Sequence, residues 1–106
     1  MNDKLTTLLV ELRRRFEVLY GTRLVQMMLF GSQARGDAEP GSDIDVLVVL
    51  RGEVSPCEEI ARIIEDGADV SLHHNAVVSC VVVSAEQFER ERSPLLLNIR
   101  REGVRI

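Results

Sequence analysis

The chain has 106 residues, of which 45% are hydrophobic and 28% charged, with a formal net charge of −4. A chain of this size buries roughly 65% of the surface its unfolded form exposes, enough for one core but not for a deep private chamber, and its composition excludes disordered and fibrous architectures. The longest apolar run, Val46 to Leu50, falls far short of the roughly 20 residues a spanning helix needs, and the N-terminus is a charged amphipathic stretch rather than a signal peptide, so the expectation is one cytoplasmic domain over residues 1–106, away from membranes.

Leu5, Leu8, Leu9, Leu12, Phe16 and Leu19 recur at helical spacing with Arg13, Arg14 and Arg15 between them, which predicts an amphipathic helix over residues 3–20, stopped by Gly21. Leu24 to Phe30 is a short apolar run ahead of a Gly-Ser turn and reads as a mostly buried strand. Residues 31–43, which hold Gly31, Gly36, Pro40 and Gly41, read as loop. Ile44 to Leu50, rich in valine, is a second strand. Ser55, Pro56 and Glu58 match a capping box opening a helix with Ile60, Ile63 and Ile64 on its apolar face; that helix ends at Gly67 or continues to about His73. Val77 to Val83 reads as a third strand, and Ser84 with Gln87 caps a short helix behind it. Ser93-Pro94 opens a last helix that buries Leu95, Leu96 and Ile99 and closes at Gly103. This order implies an α/β fold, a small mixed sheet of about three or four strands packed against helices, with the strand order left open.

Charge is unevenly spread. Residues 1–36 carry six basic and three acidic side chains, whereas residues 37–69 carry two and ten. An acidic chain with no arginine or lysine stripe and 4% aromatics argues against nucleic-acid binding through phosphate neutralisation, and its middle third is suited to holding cations. Cys57 and Cys80 have no partner at metal-ligand spacing and make no disulfide framework.

The chemistry concentrates in Gly31-Ser32-Gln33-Ala34-Arg35-Gly36 and Ser42-Asp43-Ile44-Asp45. A glycine and a serine directly after a buried strand allow a tight turn whose backbone N–H groups and hydroxyl face a phosphate, with Arg35 adding charge. Gly-Ser turns are common, so this half alone is weak. Asp43 and Asp45, spaced i, i+2 at a strand start, project from one sheet face roughly 7 Å apart and can ligate one or two magnesium ions that also bind nucleotide phosphates. The bland alternative is a half-exposed strand whose aspartates face water. Aspartate is a poor strand residue, which weighs towards function.

Gly31-Ser32 with Ala34-Arg35-Gly36, and then Ser42-Asp43-Ile44-Asp45-Val46, resembles the signature of the polymerase-beta-like nucleotidyltransferase superfamily. Being short, the chain is most similar to its minimal nucleotidyltransferase (MNT) members, commonly paired with a helical HEPN partner in toxin–antitoxin operons. The resemblance covers the element order of the whole chain, with residues 30–48 diagnostic. It implies the nucleotidyltransferase fold and magnesium-dependent transfer of a nucleoside monophosphate, AMP foremost, from a nucleoside triphosphate to an acceptor hydroxyl, by the antitoxin of a HEPN/MNT pair. Carried over residue by residue, Gly31 and Ser32 hold the triphosphate, joined by Ser42 and Arg35, while Asp43 and Asp45 bind Mg2+ and carry catalysis. Arg35 either contacts phosphate or supports the loop. Active members usually bring a third carboxylate from a later strand, yet Val77 to Val83 holds Ser79 and Cys80 and no acid; Asp69, the nearest upstream, is expected at the end of the preceding helix or in its loop. That departure leaves open a catalytically degraded, antitoxin-like subunit that acts by contact.

Other residues are set aside. His73 and His74 are adjacent, so in regular structure they diverge, and a surface turn is expected. Arg100, Arg101 and Arg105 could contact a nucleotide tail or a partner, but are expected rather to complement the last helix's dipole and keep the surface soluble. Leu95, Leu96 and Leu97 cannot all face one side of a helix, so one is expected at a protein interface, including one between copies of the chain.

Overall fold

The first helix, α1 (Asp3–Tyr20), starts where Asn2 caps it: the Asn2 side-chain oxygen accepts a hydrogen bond from the Leu5 N–H at 2.8 Å. The computed structural model describes residues 2–106. Leu5, Leu8, Leu9, Leu12, Phe16 and Tyr20 form the buried stripe of α1. The stripe ends on Tyr20 because its last steps are of four residues; Leu19, expected in it, is exposed. A single 3-10 turn, Gly21–Arg23, leads into β1 (Leu24–Phe30).

Residues 31–43 are not all loop. Ser32–Arg35 forms one helical turn, α2, between Gly31 and Gly36. After β2 (Ile44–Leu50), α3 runs unbroken from Pro56 to His73. Gly67 does not stop α3, because Ile63 before it and Val70 after it are buried on the same face. Ser55 occupies the N-cap position without a side-chain hydrogen bond, so the expected Ser55–Glu58 box does not form. Strand β3 (Val78–Ser84) follows, then α4 (Ala85–Arg90), which does carry a capping box: the Gln87 N–H donates to the Ser84 hydroxyl at 3.0 Å and the Ser84 N–H to the Gln87 side chain at 3.4 Å.

Helix α5 (Pro94–Glu102) ends at Gly103 in extended rather than left-handed conformation. Glycine is required there by space. A Cβ at residue 103 would lie 2.5 Å from the Ile99 carbonyl oxygen and 2.9 Å from Met28 Cε. That close approach lets Val104–Arg105 pair with β1 as a two-residue strand, β4, which the sequence reading did not include.

The four strands form one mixed sheet in the order β3-β2-β1-β4. Strand β1 is antiparallel to β2 and β4, and β2 is parallel to β3, with α3 as the crossover. Both faces of the central strand β2 are covered. Ile44, Val46, Val48 and Leu50 pack beneath α1 and α3, while Leu47 and Val49 join Met28, Val83, Leu96 and Ile99 on the α4–α5 side. A strand buried on both faces reads as a continuous apolar run, as Val46 to Leu50 does. Asp45 therefore sits where that run begins, on the α5 face with Leu47 and Val49, and Asp43 lies just ahead of the strand. No helix among the described residues is long and apolar enough to cross a membrane.

Candidate functional site

Pairing of β1 with β2 sets Asp45 directly opposite Phe30, and so beside Gly31. Gly31 has φ 75° and ψ −157°, a conformation that side-chain-bearing residues avoid, and a Cβ there would lie 2.5 Å from Asp45 Oδ2. Glycine is thus required twice over, once by the backbone and once by the carboxylate. Ala34 and Arg35 N–H groups close the turn onto the Gly31 carbonyl at 3.1 Å each. The earlier N–H groups, of Ser32 and Gln33, have no intrahelical acceptor. Asp43 is exposed and Asp45 half-buried. Burial first, and the neighbouring Asp43 charge second, push the Asp45 carboxyl above the usual carboxylate range.

The other expected residues lie around this pair. Ser42 is held at the end of the loop, where its carbonyl accepts from the Gln33 side chain at 3.3 Å and its N–H donates to the Glu39 carbonyl at 3.0 Å. Arg35 is engaged by acids: its Nε is 3.2 Å from Asp37 Oδ2 and its Nη1 3.7 Å from Glu102 Oε2 on α5. It ties the glycine turn to the last helix. A cleft of about 700 Å³ opens under the loop, lined by Gln33, Pro40, Ser42, Ile44, Ser71 and Asn75 among others. Another, of about 780 Å³, lies at the opposite end of the sheet among Arg23, Arg51 and Arg62, away from the aspartates.

A family model described as a nucleotidyltransferase domain matches residues 9–102. The chain belongs to that family. Two Methanocaldococcus jannaschii proteins named as protein adenylyltransferases are 31% and 35% identical over 72 residues, 68% of this chain in each case and 72% and 66% of theirs. Among solved structures, a toxin–antitoxin with AMP-PNP superposes at TM-score 0.66 and 17% identity, covering 98% of this chain and 72% of that one. A Sulfolobus solfataricus protein named as a nucleotidyltransferase gives 0.57 and 21%, over 99% and 86% of the two chains. A mutant of the toxin–antitoxin MntA-HpeT gives 0.64 and 14%, over 98% and 71%. At these identities the structural likeness establishes the nucleotidyltransferase fold.

Within this nucleotidyltransferase domain the parallel pairing sets Ser79 level with Asp45, on the same face and exposed. A carboxylate from β3 would enter the site at this position, and the side chain there is a hydroxyl. Asp69 does not substitute. It lies on α3, across the sheet, with its carboxylate 3.2 Å from Arg15. In the leucine triplet Leu96 is buried with Ile99, whereas Leu95, expected on the buried face, is exposed along with Leu97. His73 and His74 do not diverge on a free turn; both rings reach Glu11 of α1, at 3.1 Å each. His73 is the last residue of α3 and His74 its C-cap, in the turn that follows, with its N–H still bonded to the Val70 carbonyl at 3.1 Å.

Proposed function

We propose that this domain is a magnesium-dependent nucleotidyltransferase that transfers AMP from ATP to a hydroxyl of a protein partner, as the antitoxin half of a pair with a HEPN-like toxin. The observation that carries the reading is the contact of glycine turn and carboxylate pair, Gly31 against Asp45, in a chain of this family. The relatives named as protein adenylyltransferases support AMP and a protein acceptor, and the toxin–antitoxin neighbours support the partner. We take residues 1–106 as one minimal domain working in the cytoplasm.

Asp43 and Asp45 fit a magnesium ion on their own chemistry. Both offer hard carboxylate oxygens, and Asp45 is held partly out of water beside a like charge, a strain that a divalent cation relieves. When bound, magnesium supplies charge neutralisation on the triphosphate and acidifies the acceptor hydroxyl. The chain's own part is positioning. Ser32 and Gln33 N–H groups face the phosphates from the α2 turn, the Ser32 hydroxyl adds a donor, and Ser42 shapes the loop beside them. The acceptor hydroxyl gives up its proton to solvent as its oxygen attacks the α-phosphorus, the bond from that phosphorus to the bridging oxygen breaks, and pyrophosphate leaves with the electron pair. Arg35, already paired with Asp37 and Glu102, holds the turn against α5. Leu95 and Leu97 on α5 are our candidates for contact with the partner or a second copy.

A second reading rests on Ser79. With no carboxylate level with Asp45 on β3, the subunit binds nucleotide and neutralises its partner by contact alone. Calorimetry of Mg–ATP binding tests the shared premise, and Asp43→Ala/Asp45→Ala should bind at least tenfold more weakly. Unchanged affinity in a folded double variant would remove the metal assignment. A double variant that still neutralised its toxin partner fully would favour contact over transfer.

A further inference from the structure

Helices α1 and α3 run side by side in opposite directions, joined by a ladder of polar contacts. Tyr20 meets Glu59, Arg15 meets Asp66 and Asp69, and Glu11 meets His73 and His74. The last rung differs from the others, because two imidazoles converge on one carboxylate oxygen. His73 Nδ1 and His74 Nε2 each lie 3.1 Å from Glu11 Oε1. The other oxygen, Oε2, lies 3.3 Å from His73 Nδ1 and 3.4 Å from Arg15 Nε, and Arg15 is itself fixed by the two aspartates. Arg15 thus helps to orient the carboxylate, as hydrogen-bond partners of ligating carboxylates in metal sites do.

The two histidines lie where α3 ends. Within a helix, neighbouring side chains point about 100° apart. His73 is the last helical residue, and His74 follows with φ −106° and ψ 4°, so the rings sit with centroids 5.4 Å apart and planes at 62°. One histidine presents its near nitrogen and the other its far nitrogen. All three ligand atoms fall within 4.8 Å of one another. For metal–ligand bonds of 2.0–2.1 Å a tetrahedron has edges of about 3.3 Å, close to the two nitrogen–oxygen separations observed. The remaining edge closes by rotation of His73, whose side chain is 69% exposed, while His74, 14% exposed, is already fixed.

We propose that Glu11, His73 and His74 form a site for one divalent ion of the zinc class, separate from Asp43 and Asp45, that staples the end of α3 to α1. Two imidazoles and a carboxylate select Zn2+ and its neighbours over Mg2+, which takes oxygen ligands. The exposed side of the trio leaves the fourth position to water. Three residues after His74, the Val77 carbonyl accepts the N–H of Ile44, the residue between the two aspartates, at 2.8 Å. The stapled segment is thus the one that anchors the start of β2.

The test uses the untagged chain, since a histidine tag binds the same ions. Zn2+ is titrated by calorimetry, and Co2+ by visible absorption, into wild type, His73→Ala, His73→Ala/His74→Ala, Glu11→Gln and Asp43→Ala/Asp45→Ala. One equivalent of Zn2+ should bind to wild type and survive in the aspartate variant, with Co2+ giving tetrahedral bands that Zn2+ abolishes. Each change in the trio should weaken that equivalent at least tenfold, and a large excess of Mg2+ should not displace it. His73→Ala is the safeguard for folding, because that side chain is largely in solvent. Equal Zn2+ affinity in wild type and His73→Ala/His74→Ala, or loss of binding only in the aspartate variant, overturns the site.

Discussion

Gly31→Ala adds one methyl group where the fold has no room for it, and its two consequences separate. The first is backbone strain. At φ 75° and ψ −157° an alanine sits in a region populated almost only by glycine, at a cost of about 2 kcal/mol. For a domain of this size that cost is a fall of roughly 10 °C in melting temperature. The second is displacement of a carboxylate, because the new Cβ would stand 2.5 Å from Asp45 Oδ2 and Asp45 must rotate away. Rotation relieves the collision at little expense in stability, so function suffers more than folding. Mg–ATP affinity should fall at least tenfold, measured by calorimetry on protein shown by circular dichroism to be folded. Gly31→Ala/Asp45→Ala should melt near Gly31→Ala, since the strain stays when the carboxylate goes. A Gly31→Ala protein that melts within about 2 °C of wild type and binds Mg–ATP undiminished would refute both halves of the reasoning.

Three further outcomes are expected. The Asp45 carboxyl titrates above its ordinary value of 3.8 in the folded chain, so its ionisation costs stability as pH rises through the window from that value upward. Asp45→Asn should therefore melt higher than metal-free wild type at pH 7, with the difference vanishing as pH falls below about 4; a variant that melts lower at pH 7 contradicts this. Ser79→Asp supplies a carboxylate level with Asp45 and should speed nucleotidyl transfer at least tenfold, whereas an unchanged rate with intact Mg–ATP binding argues that β3 is not where the missing acid belongs. Leu12→Ala empties a fully buried position in α1 and should cost about 2–5 kcal/mol in chemical denaturation, while Val18→Ala on the same helix, 88% exposed, should cost almost nothing.

Much of this was legible in the residues. The periodic leucines of α1, the apolar runs of β1 and β2 and the serine caps of α4 and α5 are local signals, and each produced its element. The site's spacing was legible too, since a strand, a Gly-Ser turn and a second strand bearing Asp-x-Asp bring two separated segments together. What escaped depends on long-range packing. Strand β4 has two residues and exists because Gly103 lies tight against Met28 and Ile99. Ser55 has the sequence of a cap without its hydrogen bond. The meeting of Glu11 with His73 and His74 spans more than 60 residues and rests on the antiparallel seating of α1 on α3, which no window of sequence contains. Of the two parts open to Arg35, phosphate contact or loop support, the sequence could not show that α5 brings Glu102 within 3.7 Å of it.

The central claim is transfer of a nucleotide by the Gly31–Asp45 site, and label transfer addresses it most directly. Wild type and Asp43→Ala/Asp45→Ala are each incubated with magnesium and ATP labelled on the α- or the γ-phosphate, in a lysate of the source cells. Label entering a protein from the α-phosphate only, and with wild type only, is the predicted result. Label from the γ-phosphate, equal labelling by the double variant, or no labelled protein despite intact Mg–ATP binding would contradict it.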